Sequence, residues 1–182
     1  MCDLKALSGA CGNKIPGTPD YFYLIPQSEI ATFPAVKTTT AAGDKKTLAA
    51  AFGLSTVVGK GYWRKIPILT GTGNFRSTTE GEVGGKMTKQ RFDAFVRGFD
   101  NVEAEWNDAL VCNDGCMVAL IPYKANPNLL IVMGDLNNGV YVESSEGGTG
   151  GERVGKQITL YADTGYEPLY YEVSLGVDVT PS

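Results

Sequence analysis

The side chains whose types and spacing bear on chemistry are four cysteines, a glycine-rich run, an Asp/Asn turn and two pairs of glutamates. Cys112-Asn113-Asp114-Gly115-Cys116 sets two thiols one residue further apart than a redox pair or a zinc knuckle favours. Adding Cys2 and Cys11 allows a four-thiolate zinc site, but reduced thiols flanking a turn are the preferred reading. Gly71-Thr72-Gly73-Asn74-Phe75 resembles part of a dinucleotide-binding loop. It lacks the third glycine and runs into a strand, with no helix to present amides to a phosphate, so a hairpin turn is expected. Asp135-Leu136-Asn137-Asn138-Gly139 carries oxygen ligands at calcium-loop spacing without the acidic residue that closes such a loop. Asn138-Gly139 predicts a hairpin turn there instead. Glu80 with Glu82, and Glu103 with Glu105, are carboxylate pairs. Residues i and i+2 share a strand face and diverge on a helix, so solvated faces are expected rather than acid-base work. The chain has no histidine, which removes the commonest general base, the usual serine and cysteine triads and most transition-metal ligand sets. No catalytic residue, cofactor or metal ligand is assigned.

A chain of 182 residues is most simply one domain, 1–182, large enough to bury a core without staples. Its 23 glycines and 9 prolines, with one convincing helix, point to a mainly β, antiparallel architecture. The formal charge of −4 argues against a basic footprint for nucleic acid. No apolar run reaches the length needed to cross a bilayer, and Met1 to Lys5 lacks the apolar core of a secretory signal, so folding in a cytoplasm is expected.

The elements that position these groups centre on residues 91–142. Phe92, Ala94, Val96 and Phe99 alternate with more polar neighbours, as a half-buried strand requires. The period then changes: behind Asp100 or Asn101 as N-cap, Val102, Trp106, Ala109 and Leu110 line one face of a helix over about 100–112 that Asn113-Asp114-Gly115 stops. This helix is expected to cover one flank of a sheet. Met117 to Pro122 and Leu129 to Met133 read as apolar strands joined by a hairpin. Tyr21 to Pro26, Tyr62 to Leu69, Phe75 to Glu82, Lys156 to Ala162 and Pro168 to Leu175 read as further strands. Residues 1–20 form an irregular arm, 35–60 a long loop or extended hairpin, and Ser144 to Glu152 a flexible polar loop. Tyr21, Phe22, Tyr23, Tyr161, Tyr166, Tyr170 and Tyr171 have no interleaved Lys/Arg cluster of the kind that binds single strands, and read as core and interface.

The order of a polar strand pair, Lys86 to Phe99, a helix ending Ala109-Leu110-Val111, an apolar hairpin and Gly134-Asp135-Leu136-Asn137-Asn138-Gly139-Val140-Tyr141 continues through a Gly-rich loop to Ile158-Thr159-Leu160-Tyr161-Ala162 and Glu167-Pro168-Leu169-Tyr170. Over residues 60–175 this resembles the tail tube proteins of tailed bacteriophages. The resemblance implies an antiparallel β-sandwich or partly closed barrel of about eight strands with one flanking helix. It implies a non-enzymatic virion protein that self-assembles into stacked, hexameric rings, a conduit for genome delivery. Its partners would be copies of itself and other virion tail or neck proteins, with DNA passing unbound and no membrane segment. Its place would be the virion tail, after assembly in the host bacterial cytoplasm. Residues 1–20 and 35–60 match best the segments that bridge rings. The strand bearing Arg76, Thr78, Glu80 and Glu82 matches the lumen wall, whose acidity would keep DNA sliding. Two readings stay beside it: another phage ring component (tail terminator, neck or baseplate protein), or a β-sandwich module that binds carbohydrate or a host surface. An enzyme ranks below them, because no nucleophile, base and oxyanion donors assemble from these motifs.

Overall fold

The computed structural model describes residues 20–38, 46–82, 85–97, 101–123, 125–148 and 154–179, with backbone alone for 101–103. The strands are β1 (Tyr21–Pro26), β2 (Ile30–Thr32), β3 (Gly53–Leu54), β4 (Arg64–Pro67), β5 (Asn74–Glu80), β6 (Met87–Arg97), β7 (Met117–Pro122), β8 (Leu129–Met133), β9 (Tyr141–Gly148), β10 (Gly155–Thr164) and β11 (Leu169–Glu172). Among the described residues one α-helix, α1 (Asn101–Cys112), lies between β6 and β7. Every strand pair is antiparallel. The strands form a five-stranded sheet ordered β11-β8-β7-β1-β4, a four-stranded sheet ordered β5-β6-β10-β9 and a small β2-β3 pair. The fold is a mainly β sandwich and not a closed barrel.

Unbroken apolar runs arise where both faces of a strand are covered. In the five-stranded sheet, Phe22, Leu24, Ile66, Ala119, Ile121 and Met133 enter one core, shared with Phe92, Ala94, Val96, Ile158 and Leu160 of the four-stranded sheet. Residues of opposite parity, among them Ile25, Val118, Leu120, Leu130 and Val132, enter a second core closed by Leu48, Phe52, Trp63 and Tyr171. The four-stranded sheet has only one covered face, and β6 accordingly alternates buried and accessible residues along its length. α1 closes a flank of the first core with Trp106, Ala109 and Leu110, and Asn107 Oδ1 accepts a hydrogen bond from Ser145 Oγ of β9 at 2.6 Å. The helix ends where the Asn113 side-chain amide donates to the Ala109 carbonyl at 2.7 Å and Gly115 adopts a φ of 72°. The Val102 and Glu103 side chains, Gly98 to Asp100, the arm up to residue 19 and residues 149–153 lie outside the described residues.

Several expectations need correction. The glycine-rich run at 71–73 and the Asn138-Gly139 turn do not close hairpins: β4 and β5 lie in different sheets, as do β8 and β9. Both are corners where the chain crosses the sandwich. At the first, Thr72 Oγ1 donates to the Leu69 carbonyl at 2.6 Å and accepts from the Phe95 amide at 3.1 Å, tying the corner to β6. At the second, Asp135 Oδ1 accepts from the Asn137 and Asn138 amides at 2.7 and 2.8 Å. Gly139 sits so close to Gly115 that a Cβ there would lie 2.2 Å from the Gly115 carbonyl oxygen. Ser144 to Gly148 is strand, paired along β10, rather than flexible loop. Backbone pairing, not side-chain polarity, decides that. Within the long 35–60 excursion, Leu48 and Phe52 are core residues, and Leu48 bridges Val36 while Thr47 bridges Tyr170.

Candidate functional site

The open face of the four-stranded sheet gathers the predicted wall residues. Register places Arg76 opposite Arg91, Thr78 opposite Lys89 and Glu80 opposite Met87, so β5 shares its exposed parity with Lys89, Arg91, Asp93, Phe95 and Arg97 of β6. Across β10 the same face continues through Thr159 opposite Asp93, Tyr161 opposite Arg91 and Asp163 opposite Lys89. On β9 it reaches Tyr141, opposite Tyr161. A register shift at Thr159/Leu160 then inserts Glu143 between the paired residues Val142 and Ser144. Glu82 lies beyond the end of β5, exposed and off the sheet.

Six of the charged side chains on this face are paired. Arg76 Nη2 lies 2.6 Å from Asp93 Oδ2, Arg91 Nε 3.1 Å from Asp93 Oδ1, Arg91 Nη1 2.8 Å from Glu143 Oε2, and Lys89 Nζ 2.8 Å from Glu80 Oε2. Thr159 Oγ1 also donates to Asp93 Oδ1 at 2.8 Å. Burial alone would raise the Asp93 pKa, but hydrogen bonds from Arg76, Thr159 and Arg91 outweigh it and hold the carboxyl below its ordinary value. Burial and then the hydrogen bond to Asp163 raise the Tyr161 pKa, so its phenol stays a neutral donor. This face therefore carries interleaved cations and carboxylates rather than carboxylates alone. Their separate interactions are weak because they are exposed.

Other candidates resolve structurally. The Asp135 carboxylate receives its own loop's amides and the Tyr166 hydroxyl at 2.6 Å, so its lone pairs are engaged within the fold and the calcium-loop pattern is a corner. Glu105 is exposed on α1. Of the aromatics, Phe22 and Tyr171 are core, Tyr21 and Tyr23 form an edge-to-face pair at 5.2 Å, and Tyr170 packs beside Tyr123. The reduced-thiol reading fails at one position: Cys112 is disulfide-bonded, whereas Cys116 is a free, exposed thiol. Cys2 and Cys11 lie outside the described residues, so the four-thiolate arrangement has no geometry to report. Among the described residues no cluster of three Cys, Asp or Glu side chains is placed to hold a metal, and no helix is long and apolar enough to cross a membrane.

Sequence reasoning passed over Lys89, Arg91, Asp93, Glu143, Thr159 and Asp163, which carry most of the face's polar contacts. A signal existed in β6, where charged Lys89, Arg91, Asp93 and Arg97 recur at even spacing between buried residues. It also passed over Glu29 and Arg64, a buried bidentate pair at 2.5 and 2.8 Å, 35 positions apart. Compared with protein-family models, with curated proteins and with solved structures, the chain matches none.

Proposed function

We propose that the chain is a structural subunit of a bacteriophage tail tube, assembling into stacked rings, with hexamers the expected ring order. One observation carries the reading. The four-stranded sheet buries one face of its inner strands β6 and β10, presents an ion-paired polar face on the other side, and ends on both sides in long, largely accessible strands, β5 and β9, with no further strand partner among the described residues. Such edges expose amides and carbonyls that invite another chain, apart from the Val142 amide of β9, which donates to Asp114 Oδ1 at 2.6 Å. Pairing β5 of one copy with β9 of the next extends the sheet, and a rotation that closes makes a ring. The open face then becomes the inner wall, where Arg76, Thr78 and Glu80 sit. Cations already held by Asp93, Glu143 and Glu80 offer little to a phosphate backbone, so DNA slides instead of binding.

Sedimentation and negative-stain imaging of the purified protein over rising concentration test this. Rings or tubes are expected. A monomer that persists at high concentration overturns it. The second reading, a glycan- or host-surface-binding module, is favoured by the Tyr141–Tyr161 pair on the open face, with ring centroids 4.9 Å apart. Retention of such a monomer on immobilised glycan supports that reading.

A further inference from the structure

Backbone N–H and C=O groups alternate sides along an antiparallel strand, so the register of the four-stranded sheet fixes which residues of its edge strands face outward. Phe95 of β6 points to the β5 side: its amide donates to Thr72 Oγ1 at 3.1 Å and its carbonyl accepts from the Leu69 amide at 2.7 Å. Asp93, Arg91 and Lys89 share its parity and bond β5 through Asn74, Arg76 and Thr78. Phe75, Ser77 and Thr79 therefore turn their backbone groups away from the sheet. The same alternation, carried across β10, points Tyr141, Ser144 and Glu146 of β9 inward and leaves Val142, Ser145 and Gly147 outward. Observed bonds agree. The Val142 amide donates to Asp114 Oδ1 at 2.6 Å, and Val140, two residues earlier, donates to the Met117 carbonyl at 2.8 Å and accepts from the Gly115 amide at 3.1 Å.

Asp114, Gly115 and Met117 thus cover the start of the β9 edge, and a bulge at Glu143 follows. Beyond it, Ser145 and Gly147 have no outward backbone partner among the described residues, nor have Phe75, Ser77 and Thr79 on β5. The five-stranded sheet differs, since the chain itself reaches both of its edges. The Leu48 amide donates to the Tyr170 carbonyl of β11 at 2.8 Å, and the Trp63 amide, next to β4, donates to the Asp178 carbonyl at 2.7 Å. In the order β5-β6-β10-β9, with every pair antiparallel, β5 and β9 run in opposite directions, so a joint between copies continues the same alternation. We infer that β5 of a second copy adds to β9 in one register, Phe75 opposite Gly147 and Ser77 opposite Ser145, which sets Arg76 against Glu146. Charge selects this register. Glu146 is exposed and enters no ion pair among the described residues, while Arg76 places one nitrogen on Asp93 and its guanidinium fork has others to give. A slip of two residues one way puts Thr78 against Glu146 and brings Glu80 diagonally beside that carboxylate. A slip the other way runs Ser77 into the bulge and the amide that Asp114 already holds, so Asp114 acts as a register stop. The joint rests on the self-assembly proposed above and specifies it.

Cysteine pairs read the register in a Cys116→Ser background, which alone serves as the blank. One variant carries Thr78→Cys with Ser144→Cys, opposite each other in this joint; a second carries Thr78→Cys with Glu146→Cys, opposite only after the slip. Within one chain β6 and β10 separate these positions, so mild oxidation of the assembled protein links copies only. A covalent ladder from the first variant, and little from the second, is expected. An equal or stronger ladder from the second overturns the register. Rings of the parent chain with neither ladder overturn the joint and leave the tube reading standing; neither rings nor ladder overturns both. In a second measurement, Glu146→Arg at its exposed position keeps the thermal unfolding of the parent, while the concentration needed for assembly rises about tenfold as Arg faces Arg76. An unchanged assembly concentration overturns the charge-selected register.

Discussion

Arg64 and Glu29 are 1% and 4% exposed at their side chains, so each charge depends on the other for solvation. Arg64 also donates to the Tyr62 carbonyl at 2.8 Å and lies 4.0 Å from the Tyr62 ring centroid. Removing one partner strands a buried charge, whereas replacing both by apolar groups does not. Glu29→Gln is expected to cost about 3–5 kcal/mol in urea unfolding, and Glu29→Leu with Arg64→Met less than that. Asp135 gives a pH signature. Burial would raise its pKa, but hydrogen bonds from Tyr166 and from the Asn138 and Asn137 amides outweigh it and lower the pKa below 3.8. A carboxyl more acidic in the folded chain than in the unfolded one stabilises above the unfolded value and loses that contribution as pH falls through the folded value. Acid unfolding should therefore steepen below about pH 4, and Asp135→Asn should flatten that limb of the stability curve.

At the level of elements, α1 is held by one large side chain. Trp106 is 2% exposed in the first core, yet its indole N–H is a buried side-chain donor without a hydrogen-bond partner. Its apolar area stabilises and its polar atom costs. Trp106→Ala is expected to lose about 3–5 kcal/mol in thermal or urea unfolding, and Trp106→Phe much less, because the unpaired donor goes with the lost volume. Equal losses from the two variants would show that the N–H finds a partner in solution. The corners are a second kind of element. With so little room at Gly139, any side chain there pushes the 134–139 corner away from Gly115 and disturbs the crossing between sheets.

For the whole molecule, the proposed tube makes the open face the surface that meets DNA. Glu80 and Glu143 neutralise Lys89 and Arg91 there. Glu80→Lys with Glu143→Lys frees Lys89, leaves Arg91 to Asp93 alone and adds two more cations, making a basic strip on every copy. Assembled wild-type protein is expected to leave duplex DNA unshifted in a gel at moderate salt. The double variant should retain it with a strong salt dependence. Retention by the wild type, or none by the variant, contradicts a wall built from this face.

Tyr21 to Pro26, Met117 to Pro122, Leu129 to Met133 and the helix with Trp106, Ala109 and Leu110 were legible in the sequence because burial writes itself into apolar periodicity. The placement of Arg76, Thr78 and Glu80 on one accessible face was legible for the same reason: a strand's parity is local. Which sheet each strand joins was not, since a glycine turn has the same chemistry whether the chain returns beside itself or crosses the sandwich. Ser144 to Gly148 became strand only because β10 offers its amides and carbonyls. The Glu29–Arg64 pair and the charge balance of the open face depend on which distant residues meet, and that was decided by the packing of two sheets rather than by any stretch of chain.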